Sequence, residues 1–227
     1  MKIELHLHTA ETSKCGNVSA EDIIKEYHKC GYGAVVITDH YSRGTFEKPD
    51  VFGEEKVERF LKGYREAKKW GDELGVKVFL GAELRFAASN ANDYLCYGLD
   101  EEFFYEHCDM DLGRLGDFEK IKPEKALLYQ AHPFRNGITV VDPKRLFGVE
   151  VFNGHVGHDS RNSIALQWAR MHKLHAISGS DSHHVSTLCN GGIISNEDVE
   201  TMDDLLKILR TDNYALFNRN VLDSLHW

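Results

Sequence analysis

Imidazole and carboxylate side chains recur at the ends of apolar runs along the chain. His6 and His8 sit two apart in the opening stretch IELHLHT. Side chains alternate along a strand, so both imidazoles face one side and can reach one cation. The two-residue spacing returns in GSDSH, which carries Asp181 and His183. VVITDH ends on Asp39 and His40, VFLGAE on Glu83 and LLYQAHP on His132. Glu83 leaves an apolar run, where an unpaired carboxylate is costly. Neutral imidazole with carboxylate suits Zn, Mn or Fe. Singly, each residue reads equally well as a hydrogen-bonded group at a strand end. Their joint recurrence points to a metal cluster, and the competing arrangement is a buried polar network without metal.

A fold must bring these ends together. IELHLH alternates with a period of two, as a strand does. Ser19 followed by Asp22 predicts a capping box, Ile23, Ile24, Tyr27 and Cys30 give the buried stripe, and Gly31 stops the helix. AVVITDH reads as a strand covered on both faces. Apolar residues at Val57, Phe60, Leu61, Tyr64, Ala67, Trp70 and Leu74 predict a helix over 54–74. Strands are expected at VKVFLGAE, DYLCYGL, LLYQAHP, GVEVFNG, HAISG and YALFN. Further helices are expected over 123–128, led by Pro123, and over 162–172 and 202–210. Seven or eight strands alternating with helices call for a mostly parallel α/β sheet. Polar residues end strand after strand, which favours a closed β/α barrel with its site at the C-terminal rim over a doubly wound open sheet.

The totals narrow the function. The 227 residues include 27 Lys+Arg and 36 Asp+Glu, a formal charge of -9. That disfavours a nucleic acid polymer as partner but not a small phosphorylated substrate, because bound cations reverse the sign locally. One domain over 1–227 is expected. The five cysteines are odd in number and contain no CxxC, which fits reduced thiols in a cytoplasmic protein. No secretory signal or membrane-spanning run stands out. No G-x-S-x-G nucleophile or nucleotide loop is present.

The stretches ELHLHT, GYGAVVITDH, GAE, AHPF, VEVFNG and GSDSH, in that order, resemble the PHP domain family, named for polymerase and histidinol phosphatase. The resemblance covers the whole chain. It implies a distorted, TIM-like (β/α)7 barrel, two or three divalent metals (Zn, Mn or Fe) and hydrolysis of phosphoesters. Carried over by residue, it implies that His6, His8 and Asp181 hold one metal, Glu83 bridges, His132 holds the second, and His40 and His183 hold a third. Asp93 occupies a place where the family often has a ligand histidine. The first motif departs from the family pattern, with AETSKCG offering Glu11, Lys14 and Cys15 where members commonly place an aspartate or histidine.

Two cations about 3.5–4 Å apart can hold a bridging hydroxide for in-line attack on phosphorus. Asp39 is expected to orient a ligand histidine. Where no third metal binds, His40 or His183 would protonate the leaving group. Arg135, three residues after His132, is the favoured phosphate ligand, with Arg43, Arg161 and His158 as further candidates. Asn153 is expected to brace a loop. His28, His107, His172, His175, His184 and His226 read as structural, and His155 stays open. The expected activity is hydrolysis of a small phosphomonoester or phosphodiester. The alternatives are an amidohydrolase or deaminase-like hydrolase, and a non-catalytic metal-binding protein.

Overall fold

The computed structural model of the protein describes residues 1–43, 51–87, 91–110 and 112–219. Among these, ten strands join one sheet. They are β1 (Lys2–Glu4), β2 (Ala34–Ile37), β3 (His40–Ser42), β4 (Lys77–Arg85), β5 (Asp93–Tyr97), β6 (Leu127–Gln130), β7 (Gly148–Asn153), β8 (His175–Gly179), β9 (Gly191–Ser195) and β10 (Tyr214–Asn218). The order is β10-β9-β1-β2-β4-β5-β6-β7-β8, with β3 extending beside β4. The sheet curls until its ends nearly meet. Beyond the regular strands, Asp181 N donates to His6 O at 2.9 Å and His8 N to Ser182 O at 3.3 Å, tying the exits of β1 and β8. Where β9 crosses β8 the backbones touch: a Cβ on Gly191 would lie 2.2 Å from the Gly179 carbonyl carbon, so only glycine fits. The result is the expected distorted, TIM-like barrel.

Two expectations change. Four strand pairings are antiparallel, β1–β9, β9–β10, β4–β5 and β5–β6, so the sheet is mixed. The expected helix at 123–128 is instead a turn, closed by Ala126 N to Pro123 O, leading into β6. Pro123 forces Lys122 into an extended conformation (φ -59°, ψ 126°) and so ends a helix rather than starting one.

Six α-helices are described. α1 (Ala20–Lys29) starts at Ser19, whose side chain accepts from Asp22 N, and buries Ile23, Ile24 and Tyr27. α2 (Gly53–Leu74) ends at left-handed Gly75 and packs Val57, Phe60 and Leu61 onto the barrel. Burying each such side chain contributes roughly 1.5–3 kcal/mol. α3 (Glu101–Glu106) docks on α2: Phe104 meets Phe60 at 4.7 Å, and Arg65 reaches Glu101 at 2.6 Å. The remaining helices are α4 (Leu115–Ile121), α5 (Asn162–His172) and α6 (Met202–Thr211), the last opened by a Thr201–Asp204 capping box. Among the described residues no helix is long and apolar enough to cross a membrane.

Candidate metal centre

The strand exits converge as the spacing requires. His6 Nε2 lies 3.2 Å from His8 Nε2 and 3.4 Å from both Glu83 Oε1 and Asp181 Oδ1. His8 Nε2 lies 3.2 Å from Glu83 Oε2 and 3.4 Å from Asp181 Oδ1. A tetrahedral cation with ligands at roughly 2.0–2.1 Å would space its ligand atoms by about 3.3–3.4 Å. Glu83 looks two ways: Oε1 faces His6 and His132, the latter at 3.4 Å, while Oε2 faces His8 and His40, the latter at 2.7 Å. Neither Glu83 oxygen has a hydrogen-bond partner of proper geometry, although the residue is 1% exposed. A buried carboxylate without donors is costly, and a cation between it and the surrounding nitrogens removes that cost. The donor set therefore fits divalent metal. Among the described residues, three groups have ligand atoms close enough to share an ion: His6/His8/Glu83, Glu83/Asp93/His132 and His8/His40/His183.

Neighbouring side chains fix the imidazoles. Glu150 Oε1 sits 2.9 Å from His6 Nδ1, which turns Nε2 toward the centre. Its Oε2 accepts from His132 N and Asn153 Nδ2, both at 2.9 Å. Asn153 also donates to Asp181 Oδ2 at 3.0 Å, and its Oδ1 accepts from His155 N and Ser160 Oγ in the loop that follows. Asp39 accepts from Thr9 N, Thr9 Oγ1 and Ser13 Oγ at 2.7–2.8 Å, and Ser13 Oγ lies 3.4 Å from His8 Nδ1. Glu4 accepts from Leu5 N, His6 N, Ser180 N and Tyr27 Oη, and pairs with Ser180 Oγ. It locks β1 to the loop after β8. His132 (φ 28°) and Asp181 (φ 47°) hold left-handed backbone, a local strain of order 1–3 kcal/mol that places both side chains.

The electrostatics follow from this crowding. Burial alone would lower the His6 pKa, but Asp181, Glu150 and Glu83 raise it well above the ordinary value. His40, held by Glu83, moves the same way. Burial would raise Glu83 and Asp181, yet the facing imidazoles, His40 and His6 for Glu83 and His6 for Asp181, take both well below the carboxylate range. Burial dominates for Glu4 and raises its pKa.

The other candidates divide. The Cys15 thiol contacts His183 and His40; these outweigh burial and bring it down to about 5. Glu11 is committed elsewhere, accepting from Ala20 N at 3.0 Å. Asp93 lies 3.8 Å from His132 Nε2, paired with Arg85 and Arg135. Arg43 is exposed just after β3. Arg161 is spent on Phe134 O and Asn136 Oδ1, bracing the loop after β6. His155 and His158 stack at 4.4 Å and meet His183 and His132 at 5.3 and 5.6 Å. Burial lowers both pKa values, that of His158 to about 4, so they line the rim as neutral imidazoles. His184 turns away toward Asn17, His107 and His175 stack on Phe103 and Phe147, and His172 packs tilted against Trp168. His226 lies outside the described residues. Glu150 and Glu4 were not singled out from the sequence; both lie within strands, Glu150 in the apolar GVEVFN and Glu4 in the alternating IELHLH.

The family model of the PHP domain matches residues 4–216, and the chain belongs to that family. Among solved structures it is similar to a two-domain Bacteroides vulgatus protein containing a predicted PHP-like metal-dependent phosphoesterase. The TM-score is 0.68 at 17% identity, over 96% of this chain and 64% of that one. It thus spans just under two thirds of that relative. PsfC from Pseudomonas syringae matches with a TM-score of 0.62 and 17% identity, over 90% of this chain and 87% of that one. Endonuclease Q, solved with a 27-mer duplex bearing an abasic lesion, matches at 0.59 and 15% identity, over 95% of this chain and 58% of that one. No curated protein matches the sequence.

Proposed function

We propose that the protein is a metal-dependent phosphoesterase acting on a small phosphomonoester or phosphodiester. The observation that carries this reading is Glu83, a buried carboxylate whose two oxygens each face two imidazoles at 2.7–3.4 Å without a hydrogen bond of proper geometry. His6, His8 and Asp181 would hold one cation and His132 a second, with Glu83 between them. His40 and His183, with Cys15, form the third position. Divalent Zn, Mn or Fe ions there would activate water and offset charge on the phosphoryl group.

The chain's own residues supply the rest. Glu150 keeps the proton on His6 Nδ1, so Nε2 stays available as a donor of its lone pair. Asp39 orders Thr9 and Ser13 and acts on His8 through Ser13. The His40 and His183 side chains are 21% and 12% exposed and reach the mouth. With the third position vacant, either can give a proton to the leaving oxygen. Arg135 and Arg43 would receive phosphate oxygens. The charge of -9 disfavours a polymeric nucleic acid, and the duplex substrate is a property of Endonuclease Q.

The test is to load the protein with Zn, Mn or Fe in turn and assay small phosphate esters beside abasic duplex DNA. Hydrolysis of a small ester, abolished by chelation and by Glu83→Gln, is expected. Cleavage of the duplex alone would move the substrate to nucleic acid. Two bound equivalents without hydrolysis of any ester would overturn the reading.

A further inference from the structure

Asp93 stands directly opposite Arg85 in the antiparallel pairing of β5 with β4, so backbone register alone brings the two side chains together. The pair is a full fork. Arg85 Nε donates to Asp93 Oδ1 at 2.6 Å and Nη2 to Oδ2 at 2.7 Å. A second guanidinium arrives from the turn after β6: Arg135 Nη2 donates to the same Oδ2 at 3.3 Å. That turn is held by Arg135 N to His132 O at 3.0 Å, so Arg135 is fixed relative to a candidate ligand. Asp93 itself is 1% exposed, whereas the Arg85 and Arg135 side chains are 42% and 23% exposed.

Charge counting decides what such a triad favours. One carboxylate against two guanidiniums leaves a net positive charge beside the Glu83–His132 edge of the metal cluster. Both Asp93 oxygens are already engaged by the fork, and the closest imidazole nitrogen, His132 Nε2, is 3.8 Å away. Asp93 Oδ2, the oxygen nearest His132, already accepts from both guanidiniums, so a metal there would displace a charge-assisted hydrogen bond and set a cation against two others. Arg85 reaches Asp93 through Nε and Nη2, so its Nη1 edge is turned away from the carboxylate. Planar forks of this kind are suited to tetrahedral oxyanions.

We propose that Asp93 is a positioning residue rather than a metal ligand, and that it holds Arg85 and Arg135 as a two-arginine seat for the phosphate group of the substrate. The proposal rests on the phosphoesterase reading for the name of its ligand but is tested without turnover. Arg85 is the new member. It carries no chemistry-bearing motif, and only the strand register sets it beside the centre.

The experiment measures two quantities on the full-length protein, wild type and variants: bound metal by elemental analysis, and affinity for inorganic phosphate by calorimetry on the metal-loaded form. Arg85→Gln is expected to keep its metal and to weaken phosphate binding by about tenfold or more, as loss of charge-assisted hydrogen bonds does. Arg85→Lys, which keeps the charge but not the fork, should fall between the two. Asp93→Asn, close in shape, should keep the wild-type metal count while phosphate affinity drops. Loss of a metal equivalent in Asp93→Asn would make Asp93 a ligand and overturn the assignment. Unchanged phosphate affinity in Arg85→Gln, or no phosphate binding by the metal-loaded wild type, would overturn the seat. If phosphate binds as described but no ester is hydrolysed, the phosphoesterase reading fails and the anion seat stands.

Discussion

Glu150 shows how much of a candidate metal site lies one contact away from the candidate ligands. It touches His6 Nδ1, His132 N and Asn153 Nδ2 at once. Glu150→Gln preserves the volume but weakens the hold on His6. It is expected to reduce metal affinity about 10–100-fold, measured by competition with a chromogenic chelator. Titration of the metal-free protein gives a second prediction. His6 and His40 lie well above the ordinary 6.5 when folded, so their contribution is fully present below pH 6.5 and is lost as the pH rises through the folded values. Glu83 and Asp181 lie below their ordinary 4.5 and 3.8, so theirs is present above those values and lost as the pH falls through the folded ones. His6 and His40 should therefore make metal-free thermal stability decline as the pH rises above 6.5. Metal-loaded stability should rise over that upper range, because ligation needs neutral imidazole. A metal-free melting temperature that climbs above pH 6.5 would contradict the paired imidazolium picture. At this scale the ligand candidates were legible because each ends an apolar run. Glu150 and Glu4 were not, because they lie within strands and act on other residues rather than at the rim.

Elements position these residues with little slack, and α2 is the clearest case. Gly63 faces the first motif: a Cβ there would lie 1.9 Å from Thr9 Oγ1 and 2.6 Å from Asp39 Oδ2. Gly63→Ala must push α2 or the Thr9–Ser13 turn away, although alanine is the better helix former by about 1 kcal/mol. The variant is expected to melt lower and to bind metal more weakly, despite lying on a helix with no ligand. Equal or higher stability would show that the turn yields freely. Helix limits were readable from a local cap at α1, from Ser19, and from the apolar period alone at α5 over 162–172 and α6 beginning at Met202. Strand direction was not readable at β5, because it is buried on both faces and so reads as a continuous apolar run, as a parallel strand does. Hence β5 between antiparallel partners, and β9 as a strand at all, went unforeseen. The turn at Pro123 was misjudged because proline fits a helix start and also closes the preceding one.

For the whole molecule, metal binding and folding are one equilibrium. The cluster joins residues from both ends of the chain, from His6 to His183, through the nearly closed barrel. Each occupied site should stabilise the native state by about 2.7 kcal/mol at a hundredfold excess of metal over Kd. For a chain of this length that raises Tm by several degrees, readable by calorimetry with and without chelator. The decisive measurement is the metal content of untagged protein purified without added metal, wild type beside Glu83→Gln. About two or more equivalents of Zn, Fe or Mn are expected in the wild type and a clear loss in the variant, because an amide cannot serve two cations as the carboxylate does. Less than about half an equivalent, unchanged after exposure to each metal, would contradict it and leave the converging imidazoles and carboxylates as a buried polar network.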